Sequence, residues 1–179
     1  SIMLAGGITV PAYITYTERD YEYIINDCTP AVIIISDKIQ YEKIRTIVPN
    51  KDFIKKIIFY ENVENIDQEF HLKINDIFKK NNCNNKNFYD LKIKRKDMAC
   101  IIYTSGTQGN PKGVMLSHGG ILNNCEGAYE LLKIFISKRP KFLTWLPLSH
   151  SYEHTVQFVQ IAVGAKVFYA ESIEKLIKN

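Results

Sequence analysis

Apolar and polar residues follow two rhythms along this chain, one of short continuous runs and one of helical spacing. Ile8–Tyr13 reads as a short apolar strand, and Thr17 as the N-cap of a helix over Glu18–Asp27. Pro30 interrupts, and the β-branched run Ala31–Ile35 predicts a strand buried on both faces, as in a parallel sheet covered by helices. Asp37 caps a second expected helix that reaches Val48, and Lys56–Tyr60 reads as the next strand. The spacing of Phe70, Ile74, Ile77 and Phe78 suits an amphipathic helix over Asp67–Lys80. The Asn-rich stretch 81–90 is polar and without period, which predicts a linker.

Beyond the linker, Met98–Tyr103 predicts a strand running into a glycine-rich turn, with Val114–Leu116 as its hairpin partner. A long helix is expected over Ile121–Phe135, a strand over Phe142–Leu146, a helix over Tyr152–Val163 and a last strand over Lys166–Tyr169. Strands alternating with helices argue for a layered α/β architecture. Ser1–Gly7 looks like the last turn of a helix stopped by glycine, and Ile173–Lys178 like a helical run with no stop signal. The chain is therefore expected to be a fragment.

Composition narrows the classes. The chain has 179 residues, 46% hydrophobic and 23% charged, with a formal net charge of +4, all ordinary for a globular domain or part of one. Its basic residues are dispersed, so no nucleic-acid footprint is expected, and Lys92–Lys96 reads as a solvated loop. Cys28, Cys83, Cys100 and Cys125 form no C-x-x-C pair, which points away from a zinc site or a disulfide framework and toward a reducing cytosol. No signal peptide and no run of ~18 apolar residues is present, so a soluble, cytoplasmic chain is expected.

The chemistry concentrates between Ile102 and Val114. A strand delivers the hydroxyls of Thr104, Ser105 and Thr107 into a turn loosened by Gly106 and Gly109. Glycines let backbone N–H groups crowd around an anion, the hydroxyls add donors, and Lys112 adds a compact positive charge within the turn. A triphosphate needs these things: many short donors, one cation and no bulk. The common Walker loop does not fit, because Pro111 stands where its second glycine belongs and Gly113, not a hydroxyl, follows Lys112. On composition alone, a hairpin turn without a ligand stays open as the bland alternative.

The run Tyr103–His118 resembles the signature loop of the adenylate-forming (AMP-binding) superfamily of acyl-CoA synthetases, luciferases and peptide-synthetase adenylation domains. Gln108 stands where the family usually has Thr, which implies altered phosphate contacts, and Gly120 stands where it often has Asn. Leu146–His154 is similar to the second core motif of the long-chain and bubblegum-type acyl-CoA synthetases. Ala165–Leu176, Ile8–Thr17 and Tyr23–Asp27 resemble neighbouring segments of those enzymes, so all but the linker is matched.

The resemblance implies that residues 1–179 are part of the large N-terminal domain of a long-chain fatty acid–CoA ligase. Such an enzyme uses ATP and Mg²⁺ to make acyl-AMP from a fatty acid, then transfers the acyl group to CoA. It implies that Thr104, Ser105, Gly106, Thr107, Gln108, Gly109 and Lys112 hold the phosphates, with Thr104 and Thr107 also placing the metal. Lys112 and His150 are the implied catalytic groups, His150 orienting the acid. The family's adenine, ribose and metal-carboxylate motifs and its C-terminal lysine lie downstream of a segment like Glu171–Asn179. The chain alone is therefore expected to bind ATP weakly and to make no acyl-CoA. Long acyl substrates partition into bilayers, so peripheral membrane contact is compatible with this reading.

Besides another acyl- or aryl-acid adenylating enzyme, two other readings compete. His150, Glu153 and His154 satisfy H-x-x-E-H, an inverted zinc-peptidase motif whose further carboxylate would have to be Glu171 or Glu174. Against it, Pro147 predicts that His150 lies in a loop or at a helix start, before i, i+4 geometry is established, and His154 reads equally as a partly buried helix residue. Trp145 and Tyr152 are expected in the core rather than in a pocket. The second reading is a non-catalytic nucleotide-binding remnant or interaction module, against which the intact loop weighs.

Overall fold

In the computed structural model, residues 2–60, 71–80, 91–104, 110–134, 140–171 and 175–176 are described. The elements in order are α1 (Glu18–Cys28), β1 (Val32–Ile35), α2 (Lys38–Ile44), β2 (Lys56–Phe59), β3 (His71–Lys73), α3 (Ile74–Lys80), β4 (Met98–Thr104), β5 (Lys112–Ser117), α4 (His118–Leu132), β6 (Lys141–Thr144), α5 (Ser151–Ala162) and β7 (Lys166–Tyr169). They form two units, one of Ser1–Tyr13, Leu91–Thr104 and Lys112–Asn179, the other of Ile14–Asp90 and Ser105–Pro111. The layered α/β expectation holds, while the expected linker at 81–90 lies outside the described residues.

In the Ile14–Asp90 unit, β1, β2 and β3 form a parallel sheet in that order. Helix α1 starts at a capping box: the Thr17 hydroxyl accepts from Asp20 N–H at 3.3 Å, and the Asp20 carboxylate accepts from Thr17 N–H at 2.9 Å. Asp37 caps α2 through Gln40 N–H at 2.9 Å. Ile25, Ile35, Ile44, Val48, Ile54, Ile57 and Phe59 make the core, with Ile57 and Phe59 fully buried. Each such side chain contributes about 1.5–3 kcal/mol relative to exposure.

Three expectations shift here. Strand β1 is covered on one face rather than two, since Ile35 is buried while Val32 and Ile34 remain nearly half exposed. Helix α2 ends at Ile44, short of Val48, because Pro49 places Val48–Asn50 in a 3₁₀ turn. Helical periodicity is realised only from Ile74; His71–Lys73 pairs as a parallel edge of β2, and the residues before it lie outside the described set.

In the other unit, β4 pairs antiparallel with β5, and β6 pairs parallel with β7. The chain start is a 3₁₀ turn, Met3–Ala5, closed by Gly6 at φ 77°, as the glycine stop predicted. Ile8–Tyr13 does not become a strand. Only Thr9 pairs, bridging β4 at Cys100, and Pro11 lacks the N–H that would extend the ladder. Helix α4 packs on both β5 and α5. Ala99, Cys100, Ile102, Tyr103, Cys125 and Val159 are each buried, and Gln160 donates to the buried Thr144 hydroxyl at 3.1 Å. Burial raises the thiol pKa of Cys100 and of Cys125, the latter helped by the Glu126 charge. Trp145 and Tyr152 are exposed rather than core residues.

Candidate functional site

Two adjacent ladder positions decide the shape of the hairpin end. Tyr103, fully buried, stands opposite Gly113, and Thr104 stands opposite Lys112. A Cβ on Gly113 would lie 2.9 Å from Ile101 Cγ2 and 3.3 Å from the Tyr103 ring. The Ile101 methyl therefore stands where a Cβ at position 113 would go, with the Tyr103 ring in tight contact beside it. One step further out, directly opposed antiparallel residues share a face, with Cβ atoms about 4.5–5.5 Å apart. The Thr104 hydroxyl and the Lys112 ammonium thus leave the hairpin on the same side, both exposed. Lys112 is the first residue of β5 rather than part of the turn, since Pro111 ends the loop and pairing with Thr104 begins at once. Ser105, Gly106, Thr107, Gln108 and Gly109 lie outside the described residues.

Past β5, the start of α4 is fixed by contacts that the sequence reading did not single out. Ser117 caps the helix by accepting from Gly120 N–H at 3.1 Å. Gly119 N–H donates to Arg95 carbonyl at 2.6 Å, and a Cβ on Gly119 would meet that oxygen at 2.8 Å. The substitution of Gly at 120 therefore leaves the helix start intact. A serine just before an apolar helical run was the available signal.

The second motif sits at the start of α5. His150 is the N-cap, its Nδ1 accepting from Tyr152 N–H at 3.2 Å, and its ring is exposed. His154 lies one turn on, half-buried and edge-on to Phe158 with ring centroids 5.0 Å apart. Burial lowers the His154 pKa below the ordinary histidine value. Glu153 is buried on α5, with Oε1 lacking a hydrogen-bond partner.

Among the described residues, the zinc geometry does not assemble around these groups. His150 Nδ1 is engaged by the backbone, and the Glu171 carboxylate accepts from Lys175 at 2.6 Å. Among the described residues, no three His, Cys, Asp or Glu side chains gather to hold a metal ion. Glu174 lies outside the described set. Among the described residues of the hairpin, the exposed Thr104 hydroxyl is a hard oxygen donor, the kind of ligand that Mg²⁺ takes.

A family model described as AMP-binding enzyme matches residues 1–178. This chain belongs to the AMP-binding enzyme family. Long-chain-fatty-acid–CoA ligase ACSBG2 of Rattus norvegicus is 34% identical over 94% of the chain, which spans 26% of that relative. Long chain acyl-CoA synthetase 4 of Arabidopsis thaliana is 30% identical over 97% of the chain, which spans 28% of that relative. The chain thus covers about a quarter of the length of these curated relatives. Among solved structures, the N-terminal domain of FACL13 from Mycobacterium tuberculosis matches with a TM-score of 0.73 at 17% identity, over 98% of this chain and 41% of that one. The mixed α/β fold is accordingly that of the N-terminal domains of adenylate-forming enzymes.

No helix among the described residues is long and apolar enough to cross a membrane.

Proposed function

We propose that this AMP-binding chain is the phosphate-holding part of a long-chain fatty acid–CoA ligase. The observation that carries the reading is the in-register placement of Thr104 and Lys112 on one side of the hairpin end, flanking residues 105–111 with their glycines and hydroxyls. The relatives at 30–34% identity, themselves long-chain acyl-CoA synthetases and ligases, support the choice of acid.

The first half-reaction is hard because an anionic carboxylate must approach a polyanion. In this reading Lys112 neutralises charge on the β- and γ-phosphates, while the loop hydroxyls and N–H groups of Thr104, Ser105, Gly106, Thr107, Gln108 and Gly109 hold them in place. Electrostatic preorganisation of this kind supplies most of the rate enhancement in phosphoryl chemistry. Mg²⁺ supplies further neutralisation when bound, with the hydroxyls of Thr104 and Thr107 as the chain's contribution beside it. His150 faces the acid. CoA enters as the second substrate and takes the acyl group, and a membrane surface is a fitting source of the acid.

The test is acid-dependent exchange of labelled pyrophosphate into ATP by the complete protein that carries this chain, across short, aromatic and long-chain acids. Exchange strongest with long-chain acids is expected. Exchange driven only by short or aromatic acids would replace the substrate assignment, and silence with every acid would remove adenylation altogether.

A further inference from the structure

The loop that leads into β4 carries charge that the phosphate site does not use. Lys92, Lys94, Arg95 and Lys96 are all exposed. Arg95 turns back onto α4, donating to the Asn123 side-chain oxygen and lying 3.6 Å from the Glu126 carboxylate. Asp97 engages the backbone instead, its carboxylate accepting from Lys94 N–H at 2.8 Å. Among the described residues, no carboxylate pairs with the ammonium groups of Lys92, Lys94 or Lys96. The sequence alone reads this stretch as solvated, and the apolar company that the fold brings to it changes that reading. Leu91 is 47% and Ile93 36% exposed, in a tight bend where Ile93 N–H donates to Leu91 carbonyl at 3.1 Å. The Met3–Ala5 turn lies beside them: a Cβ on Gly6 would stand 4.0 Å from Leu91 Cδ2, and Leu4 in that turn is 78% exposed. The backbone beneath is held, with Asp97 N–H donating to Lys94 carbonyl and His118 N–H to Asp97 carbonyl, each at 3.0 Å. Residues 91–97 hold no aromatic ring on which a base could stack, which disfavours nucleic acid as the partner.

We infer that the Leu91–Lys96 loop and the neighbouring Leu4 turn form a docking surface for an anionic lipid bilayer. Leu4, Leu91 and Ile93 enter the boundary between headgroups and acyl chains. Lys92, Lys94 and Lys96 lay their stems along that boundary and bring their ammonium groups to the lipid phosphates and carboxylates. Three lysines and a few aliphatic side chains make the contact weak and reversible, without a spanning segment. The surface lies at the Met98 end of β4, whereas Thr104 and Lys112 lie at the other, roughly 20 Å away along a strand of 7 residues. Docking therefore leaves the hairpin end uncovered. The inference deepens the membrane source proposed above and rests on the ligase reading only for the purpose of the contact; the binding itself rests on the patch.

Vesicle co-sedimentation of the complete protein tests this, with vesicles of phosphatidylcholine alone and of phosphatidylcholine with phosphatidylserine. The readout is the ratio of partitioning between the two, which isolates the anionic contribution from any other attachment. Wild type should prefer the phosphatidylserine vesicles by roughly tenfold or more at low salt, and the preference should fade as salt screens it. Lys92→Glu, Lys94→Glu and Lys96→Glu together should abolish the preference, with the denaturant midpoint and pyrophosphate exchange with acid supplied in solution both unchanged. Leu4→Gln with Leu91→Gln should lower partitioning onto the phosphatidylserine vesicles severalfold. A wild type without the preference, or a preference that survives the lysine changes, would overturn the docking surface. Partitioning unmoved by the leucine changes would overturn the bilayer as partner, as would a lysine-dependent affinity for RNA without one for vesicles. Absence of exchange in the wild-type protein would remove the ligase reading and leave the vesicle ratio to decide the surface.

Discussion

Thr104 and Lys112 are direct cross-strand partners at the end of the β4–β5 hairpin, so a hydroxyl and an ammonium leave the same face on either side of residues 105–111. One rung below, Tyr103 lies across from Gly113, where an added Cβ would meet Ile101 Cγ2 at 2.9 Å and the Tyr103 ring at 3.3 Å. The packing of Ile101 and Tyr103 suits a glycine at this rung, and the register places the two polar groups one step beyond it. Fold and proposed chemistry meet in these four residues.

Gly113→Ala should therefore damage both stability and function. Its methyl would press on Ile101 Cγ2 and the Tyr103 ring, side chains that are themselves packed in β4. An overpacked substitution of this kind costs about 1–3 kcal/mol. Denaturant unfolding should show a loss in that range, and hydrogen exchange should localise it to β4 and β5. A loss confined to the other unit would contradict the account.

Thr29 offers the opposite outcome. It closes α1 in the left-handed region, at φ 43° and ψ 62°, with its N–H donating to Ile25 carbonyl. A β-branched residue there is strained, and glycine is free of that strain at some cost in unfolded-chain entropy. Thr29→Gly should stabilise by about 0.5–1 kcal/mol, read as a higher denaturant midpoint at unchanged slope. A lower midpoint would show that the Thr29 side chain contributes more than its backbone costs.

His154 makes stability depend on pH. Burial lowers its pKa in the folded chain, so the unfolded chain binds the proton more readily. Its contribution is fully present above the unfolded value near 6.5 and is lost as pH falls through the lower folded value. His154→Gln should shrink the drop in stability between about pH 7.5 and about pH 5.5. An undiminished drop would assign the acid sensitivity to other groups.

Much of this was legible in local chemistry. Thr17 and Asp37 announce helix starts because a short oxygen side chain answers the free N–H groups of the first turn. The β4–β5 hairpin follows from an apolar run, a glycine-rich turn and a second apolar run, and the helix start at His150 follows from Pro147. What escaped depends on partners distant in sequence. His71–Lys73 is a strand only because β2 lies beside it, and the half-exposed face of β1 carries the same β-branched residues as a buried one. The tight fit at Gly113 comes from Ile101 and the Tyr103 ring across the ladder, which local sequence does not announce. The sequence puts Lys112 within the turn, whereas its strand position comes from pairing with Thr104.

The most direct test of the central claim is single-turnover formation of acyl-AMP from ATP and a long-chain acid by the complete enzyme, compared between wild type and Lys112→Ala. Lys112 is exposed and its neighbours Thr104 and Gly113 set the hairpin, so the variant should unfold at the same denaturant concentration as wild type. Acyl-AMP formation should slow roughly a hundredfold, the effect of removing one preorganised charge from a phosphoryl transition state. Formation at the wild-type rate in the folded variant would contradict the role of this hairpin in holding the phosphates.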